Sequence, residues 1–142
     1  MGTSISGHVS HERMLHFTLW GAQILLASFF AAMAWLKLAL HSERLIEIMA
    51  WAATLPMPLV RALGVAELIG AIVVAAPAVT RAPQRMVGWA ATGFMALMVA
   101  AATIHIARGE LRMLPINLTV FALAAFVAWG RLAHQPIETL EA

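Results

Sequence analysis

The sequence has no cysteine and no tyrosine, and charged residues fill only 11% of its 142 positions. The absence of cysteine excludes disulfides, a thiolate nucleophile, a thiol relay and a Cys-ligated iron–sulfur cluster. Any redox role would therefore need a bound cofactor or a partner. The shortage of charge separates the chain from soluble domains, in which roughly a quarter of residues are charged. The formal net charge is only +2, so a pI near 10.5 reflects missing alkaline buffers rather than a basic surface. The basic residues stand singly at segment edges, a pattern unsuited to nucleic-acid binding. No Gly-rich phosphate loop, Ser-His-Asp pattern or zinc motif occurs.

What the chain has in abundance is apolar sequence: 62% of residues are hydrophobic and the mean hydropathy is +0.85. A membrane span needs about 20 mostly apolar residues. Runs at 17–40, 59–79, 86–107 and 115–130 meet or approach that length. The last is the shortest and is expected to extend past a snorkelling Arg131. These runs predict a polar N-terminal tail over 1–16, a membrane domain over 17–132 and a polar C-terminal tail over 133–142. No cleavable signal peptide is expected. The first fifteen residues are polar, and the apolar run after them is too long for an h-region.

The connectors predict the topology. In the first, 41–58, Ser42 is placed to cap a short helix. Its mix of Leu45, Ile46, Ile48 and Met49 with Glu43, Arg44 and Glu47 suits a helix lying in the interface, ended by Pro56 and Pro58. The other two connectors are short, so the helices they join are antiparallel. The expected fold is all-α: an integral membrane four-helix up-down bundle with a short interfacial helix between spans one and two. Threading the chain this way puts Trp20, Trp89 and Trp129 on one side of the membrane, side A. Trp35 and Trp51 fall on the other, side B, so each interface gains an aromatic belt. Arg13, Arg81, Arg85 and Arg131 on side A nearly balance Lys37, Arg44, Arg61, Arg108 and Arg112 on side B, so charge does not fix the orientation.

Ionisable residues inside a span are costly and are functional candidates by default. Lys37, Glu67, His105 and Asn117 all fall towards side B. Glu67 is the deepest, six residues beyond Arg61, or about 9 Å along a helix. Facing agrees with depth. Gln23, Leu26, Phe30, Met33 and Lys37 share one stripe of span one. Gly64, Glu67, Gly70 and Ala71 share one of span two. Gly88, Ala91, Met95, Met98, Ala102 and His105 do so in span three, and Asn117, Phe121, Ala124, Ala128 and Arg131 in span four. Turned inward, these stripes make a Met- and Phe-lined interior with a polar mouth, the shape of a site for an apolar ligand bearing one polar group.

Each residue also has a plainer reading. Lys37 can snorkel to the interface, Glu67 can serve as one half of a structural ion pair, and His105 can be a satisfied interfacial histidine. Asn117 can act as interhelical glue, and a Met and Phe stripe is often simple packing. A metal at His8, His11 and His16 lacks a conventional ligand motif, and a haem would require His41 with His105.

The stretch LPMPLVRALGVAELIGA, with Pro58, Arg61, Gly64, Glu67 and Gly70, resembles the second-helix signature of the DoxX-like membrane proteins. Lys37 is similar to the lysine closing the first helix in that family. AATIHIARGE, with His105, Gly109 and Glu110, resembles the end of the third helix, and PINL and WGR resemble the fourth. Where the family often has Ser-Gly ahead of the lysine, this chain has Met33-Ala34. The resemblance implies a four-helix bacterial inner-membrane protein with cytoplasmic termini. Its implications for function are loose, since relatives include a subunit associated with thiosulfate:quinone oxidation, proteins linked to oxidant resistance and an animal receptor-assembly factor.

Two functions are expected on these grounds. The first is binding of a lipophilic small molecule such as a quinone or isoprenoid, within a redox complex. Glu67, His105 and Lys37 would do the chemistry there, and Arg61, Asn117, Met33, Met95, Met98, Phe30 and Phe121 would line the site. The second is a non-catalytic assembly factor. Its close helix contacts with another membrane protein or a second copy would use small residues such as Ala66/Gly70 and Ala124/Ala128. A transporter fits less well, because no broken helix is visible.

Overall fold

The computed structural model describes residues 4–80 and 82–134, with side chains from residue 13 onward. Among the described residues all regular structure is helical, and four helices are long and apolar enough to cross a membrane. Helix α1 runs Ser4–Ala39, so the segment read as a polar tail is helical from Ser4. Its membrane-capable part is Arg13–Ala39, 27 residues, or about 40 Å, longer than a hydrocarbon core of about 30 Å.

The first connector differs from expectation. Helix α2 spans Ser42–Ile48, but its N-cap is His41 and no side chain caps it. It ends at Met49, whose backbone leaves helical geometry at φ −123 and ψ 78, well before the prolines. A 3-10 turn, Ala50–Thr54, follows. The prolines begin the next helix instead. Pro56 is the N-cap of α3 (Met57–Ala75) and Pro58 lies in its first turn, where a missing N–H costs nothing. Leu45, Ala52 and Val60 are buried together with Leu36 and Leu55 packed on them. That small core ties the connector to the ends of α1 and α3.

Helix α3 finishes in a 3-10 turn, Ala76–Ala78. Helix α4 spans Gln84–Ala107 behind Pro83, and α5 spans Leu114–Trp129. A 3-10 turn, Leu111–Met113, precedes α5 and a π-helical turn, Gly130–His134, continues it. The fourth span is therefore Leu111–His134, 24 residues, longer than the 22-residue second.

The packing is that of a closed four-helix ring. The most extensive contacts join α1 to α3 and α4 to α5, and α3–α4 and α1–α5 contacts complete it. Leu26, Phe30, Val74, Val87, Ala91, Phe94, Val120, Ala124 and Val127 form the core. The rings of Phe30 and Phe94 stack at 3.6 Å. Ile24, Leu25, Ile69, Ile72, Val99 and Leu118 point outward and are exposed. Long helices with apolar residues on their outer as well as their inner faces are what lipid selects. The protein is a multi-pass membrane protein.

Candidate functional site

Helices α1 and α3 approach closely at Gly64. A Cβ there would lie 2.9 Å from the Cβ of Lys37, so only the smallest residue admits the contact. Three residues on, the same face of α3 presents Glu67. Lys37 Nζ donates to both carboxylate oxygens, at 2.9 Å to Oε1 and 2.8 Å to Oε2. The side chains are 4% and 8% exposed, so Lys37 does not snorkel. The ammonium also stands 5.6 Å from the centre of the Trp51 ring, within cation–π range. Trp51 therefore folds inward from the connector, while Trp35 stays exposed.

Arg61, expected to bind ligand, does something else. It donates Nη1 to the carbonyl of Lys37 and Nη2 to that of Leu40, the latter at 2.7 Å. Those carbonyls lie in the last turn of α1 and at the residue just after it, where no further helical turn satisfies them. Arg61 thus caps α1 and holds the backbone from which Lys37 projects.

His105 is set by the turn after α4. Gly109 takes a positive φ of 71, the left-handed conformation glycine tolerates best. Its N–H bonds to the Ile106 carbonyl at 3.0 Å, and that of Glu110 to the His105 carbonyl at 2.8 Å. This pair of bonds is a Schellman motif, and it folds Glu110 back over the helix end. Glu110 Oε2 lies 2.7 Å from His105 Nδ1, and Oε1 accepts from Arg108 Nε at 2.8 Å. The hydrogen bond from Arg108, then that from His105, holds the Glu110 carboxyl below its ordinary pKa of 4.5.

Between these groups lies a cavity of about 130 Å³. Its polar lining is Lys37, Glu67, His105 and Asn117, one from each spanning helix. Asn117 is 8% exposed, and its Nδ2 has no hydrogen-bond partner among the described residues. The apolar lining includes Phe29 and Met33 of α1, Met49 and Trp51 of the connector, Leu63 of α3, and Leu97, Met98 and Ile104 of α4. Met33 and Met98 were expected there. Phe30, Met95 and Phe121 do not line the cavity: Phe30 is core, and the other two pack against that core. No hydrogen bond joins His105 to Glu67 among the described residues, although both line the cavity.

Of the lining residues that periodicity missed, Phe29 sits beside Phe30 on a half-buried edge of the stripe. Met49 and Trp51 come from the connector, whose sequence gives no sign that it folds over the bundle. Glu110 had a readable signal, since Gly109 followed by an acid just past a helix-end histidine marks a left-handed turn that brings the acid back.

A second buried polar group occupies the opposite end. Arg131, read as a snorkelling cation, is 1% exposed. It lies in the π-helical turn on the inward stripe of the fourth span, and its Nε donates to Gln23 Oε1 at 2.7 Å. Gln23 Nε2 in turn donates to the Val74 carbonyl at 2.8 Å. The guanidinium lies 5.5 Å from the Trp20 ring centre. This chain ties α1, α3 and the end of α5 together. Polar residues are thus buried at both ends of the bundle, and the cavity described above lies on side B.

The small residues weighed as partner contacts are largely used within the chain. Gly70 receives the Phe94 ring, and Ala124 and Ala128 are in the core. For the histidines, the side chains of His8 and His11 lie outside the described residues. His16 accepts from Trp20 Nε1 at 3.0 Å, and His41 is exposed. Among the described residues no three metal-ligating side chains converge.

No curated protein and no solved structure matches the chain. A model of the DoxX-like family matches residues 21–127, from the first span through most of the last, and it covers Lys37, Glu67, His105 and Asn117 together. The chain belongs to the DoxX-like family.

Proposed function

We propose that the side-B cavity binds the head of a lipophilic molecule such as a quinone or an isoprenoid. The observation that carries this reading is the buried Lys37–Glu67 pair fronting an apolar cavity of about 130 Å³. An apolar cavity of about 150 Å³ accommodates benzene, so the volume suits one ring or a short prenyl end, and a longer tail would pass between helices into lipid. Lys37 is the donor to a ring carbonyl, and Glu67 is the group that would move an accompanying proton. The chain has no cysteine, so electrons for a quinone would come from a partner in a membrane redox complex or from a bound cofactor.

Organic extraction and mass spectrometry of protein purified in mild detergent test the reading. A quinone, isoprenoid or sterol-like molecule retained in stoichiometric amount is expected. Repeated absence of any, together with no binding on titration, would overturn it. The protein is placed in the bacterial inner membrane, with termini in the cytoplasm and side B facing out. Reporters fused after Pro83 and after the last span should then both read as cytoplasmic, and a periplasmic signal at both would reverse the orientation.

A further inference from the structure

Resting on that reading of the cavity, we infer that the ligand carries a ring hydroxyl, which His105 recognises, and that Glu110 is the positioning residue that makes this possible. Glu110 accepts at 2.7 Å from His105 Nδ1. A carboxylate accepts and cannot donate, so Nδ1 must carry the proton. In the neutral ring Nε2 is then left with a lone pair. His105 lines the cavity, and Nε2 makes no hydrogen bond among the described residues. The cavity therefore presents an acceptor on α4 and an ammonium donor, Lys37, on α1. A phenol or hydroquinone head satisfies the acceptor with its O–H, and a carbonyl or ether oxygen elsewhere on the ring faces the donor.

The charged groups around His105 are paired with one another. Arg108 on the same turn holds the Glu110 carboxylate by Nε at 2.8 Å. Across the cavity Lys37 and Glu67 neutralise one another at 2.8 Å. Neither offers a competing partner to the imidazole. The turn is built for the purpose: left-handed Gly109 is what returns Glu110 to His105. Side-chain exposure rises from 12% at His105 to 22% at Glu110, so the carboxylate holds Nδ1 from the more exposed side of the ring.

The experiment uses the full chain in nanodiscs and two probes of one shape, 4-pentylphenol and its methyl ether. Nitrogen-15 spectra of labelled histidine, assigned with His105→Gln, should show the Nδ1–H tautomer in the wild type. Wild type should bind the phenol about threefold to tenfold more tightly than the ether, the worth of one hydrogen bond. Glu110→Ala should lose the tautomer preference and bring the two affinities together, while keeping the ether affinity, which also reports that it is folded. Equal binding of both probes to the wild type overturns this inference and leaves the cavity reading standing, as does a wild-type Nε2–H tautomer. Binding of neither probe overturns both.

Discussion

Lys37 and Gly64 touch where α1 crosses α3, with room for no Cβ on the glycine: one placed there would stand 2.9 Å from the Cβ of Lys37. The crossing brings the ammonium to Glu67, one turn further along α3, at 2.8 Å. A close helix crossing and a buried ion pair are therefore one structural feature. Gly64→Ala should force the helices apart, and such overpacking costs about 1–3 kcal/mol. Gly93→Ala is the control, since nothing lies within 4 Å of a Cβ there, and the helix preference of alanine over glycine, about 1 kcal/mol, favours it. Thermal unfolding in detergent should rank Gly93→Ala at or above wild type and Gly64→Ala below it. Equal stability of the two variants would contradict the close crossing.

Removing one member of a buried pair strands the other. In soluble proteins this costs about 3–5 kcal/mol, whereas replacing both members with apolar groups is often close to neutral. Glu67→Gln keeps the shape and removes the charge. It should markedly lower the melting temperature, and adding Lys37→Met should restore most of the loss. The double variant, once folded, should retain less of the co-purified lipophilic molecule than wild type. A folded double variant with full ligand content would confine the pair to a structural role.

Arg61 separates capping from ligand binding. It satisfies the carbonyls of Lys37 and Leu40 and is not part of the cavity wall. Hydrogen bonds from a charged group contribute about 1.5–3 kcal/mol each, less where water replaces them. Arg61→Met should therefore reduce stability by about 1–3 kcal/mol while ligand affinity, measured below the melting transition, stays within a few-fold of wild type. Loss of binding without loss of stability would return Arg61 to the ligand.

These outcomes also mark what was legible in the sequence. The four spans follow from the length of the apolar runs, and the inward stripes from 3–4 spacing, because lipid tolerates few polar residues on a helix. Depth placed Glu67 and Lys37 on the same side of the bundle, where the structure pairs them. Arg61 could not be placed, because its partners are backbone carbonyls, which every sequence has. Arg131 lay on the inward stripe, but its burial was hidden, because its partner Gln23 is on another helix and the pairing has no mark in the local sequence. The break at Met49 was equally hidden: nothing in the run from Leu45 to Ala53 competes with a continuous helix, and the buried cluster of Leu45, Ala52 and Val60 decides it. That break brings Trp51 to the cavity.

The turn at Gly109 should respond to acid. The Glu110 carboxyl is held below its ordinary 4.5 by hydrogen bonds from Arg108 and His105. A carboxyl with a depressed folded-state pKa contributes stability above its unfolded value, and that contribution fades as pH falls through the folded value. The contribution is therefore full near neutrality and fades below pH 4.5. Glu110→Gln loses it at every pH. Melting temperatures of the two proteins, taken between pH 3 and pH 7 in one detergent, should differ at neutral pH and converge in acid, with wild type the more stable where they differ. Partial exposure of the turn keeps the gap small, and added salt should shrink it further. A gap that is constant with pH, or one that widens in acid, would mean that Glu110 is not held as an ionised partner of Arg108 and His105.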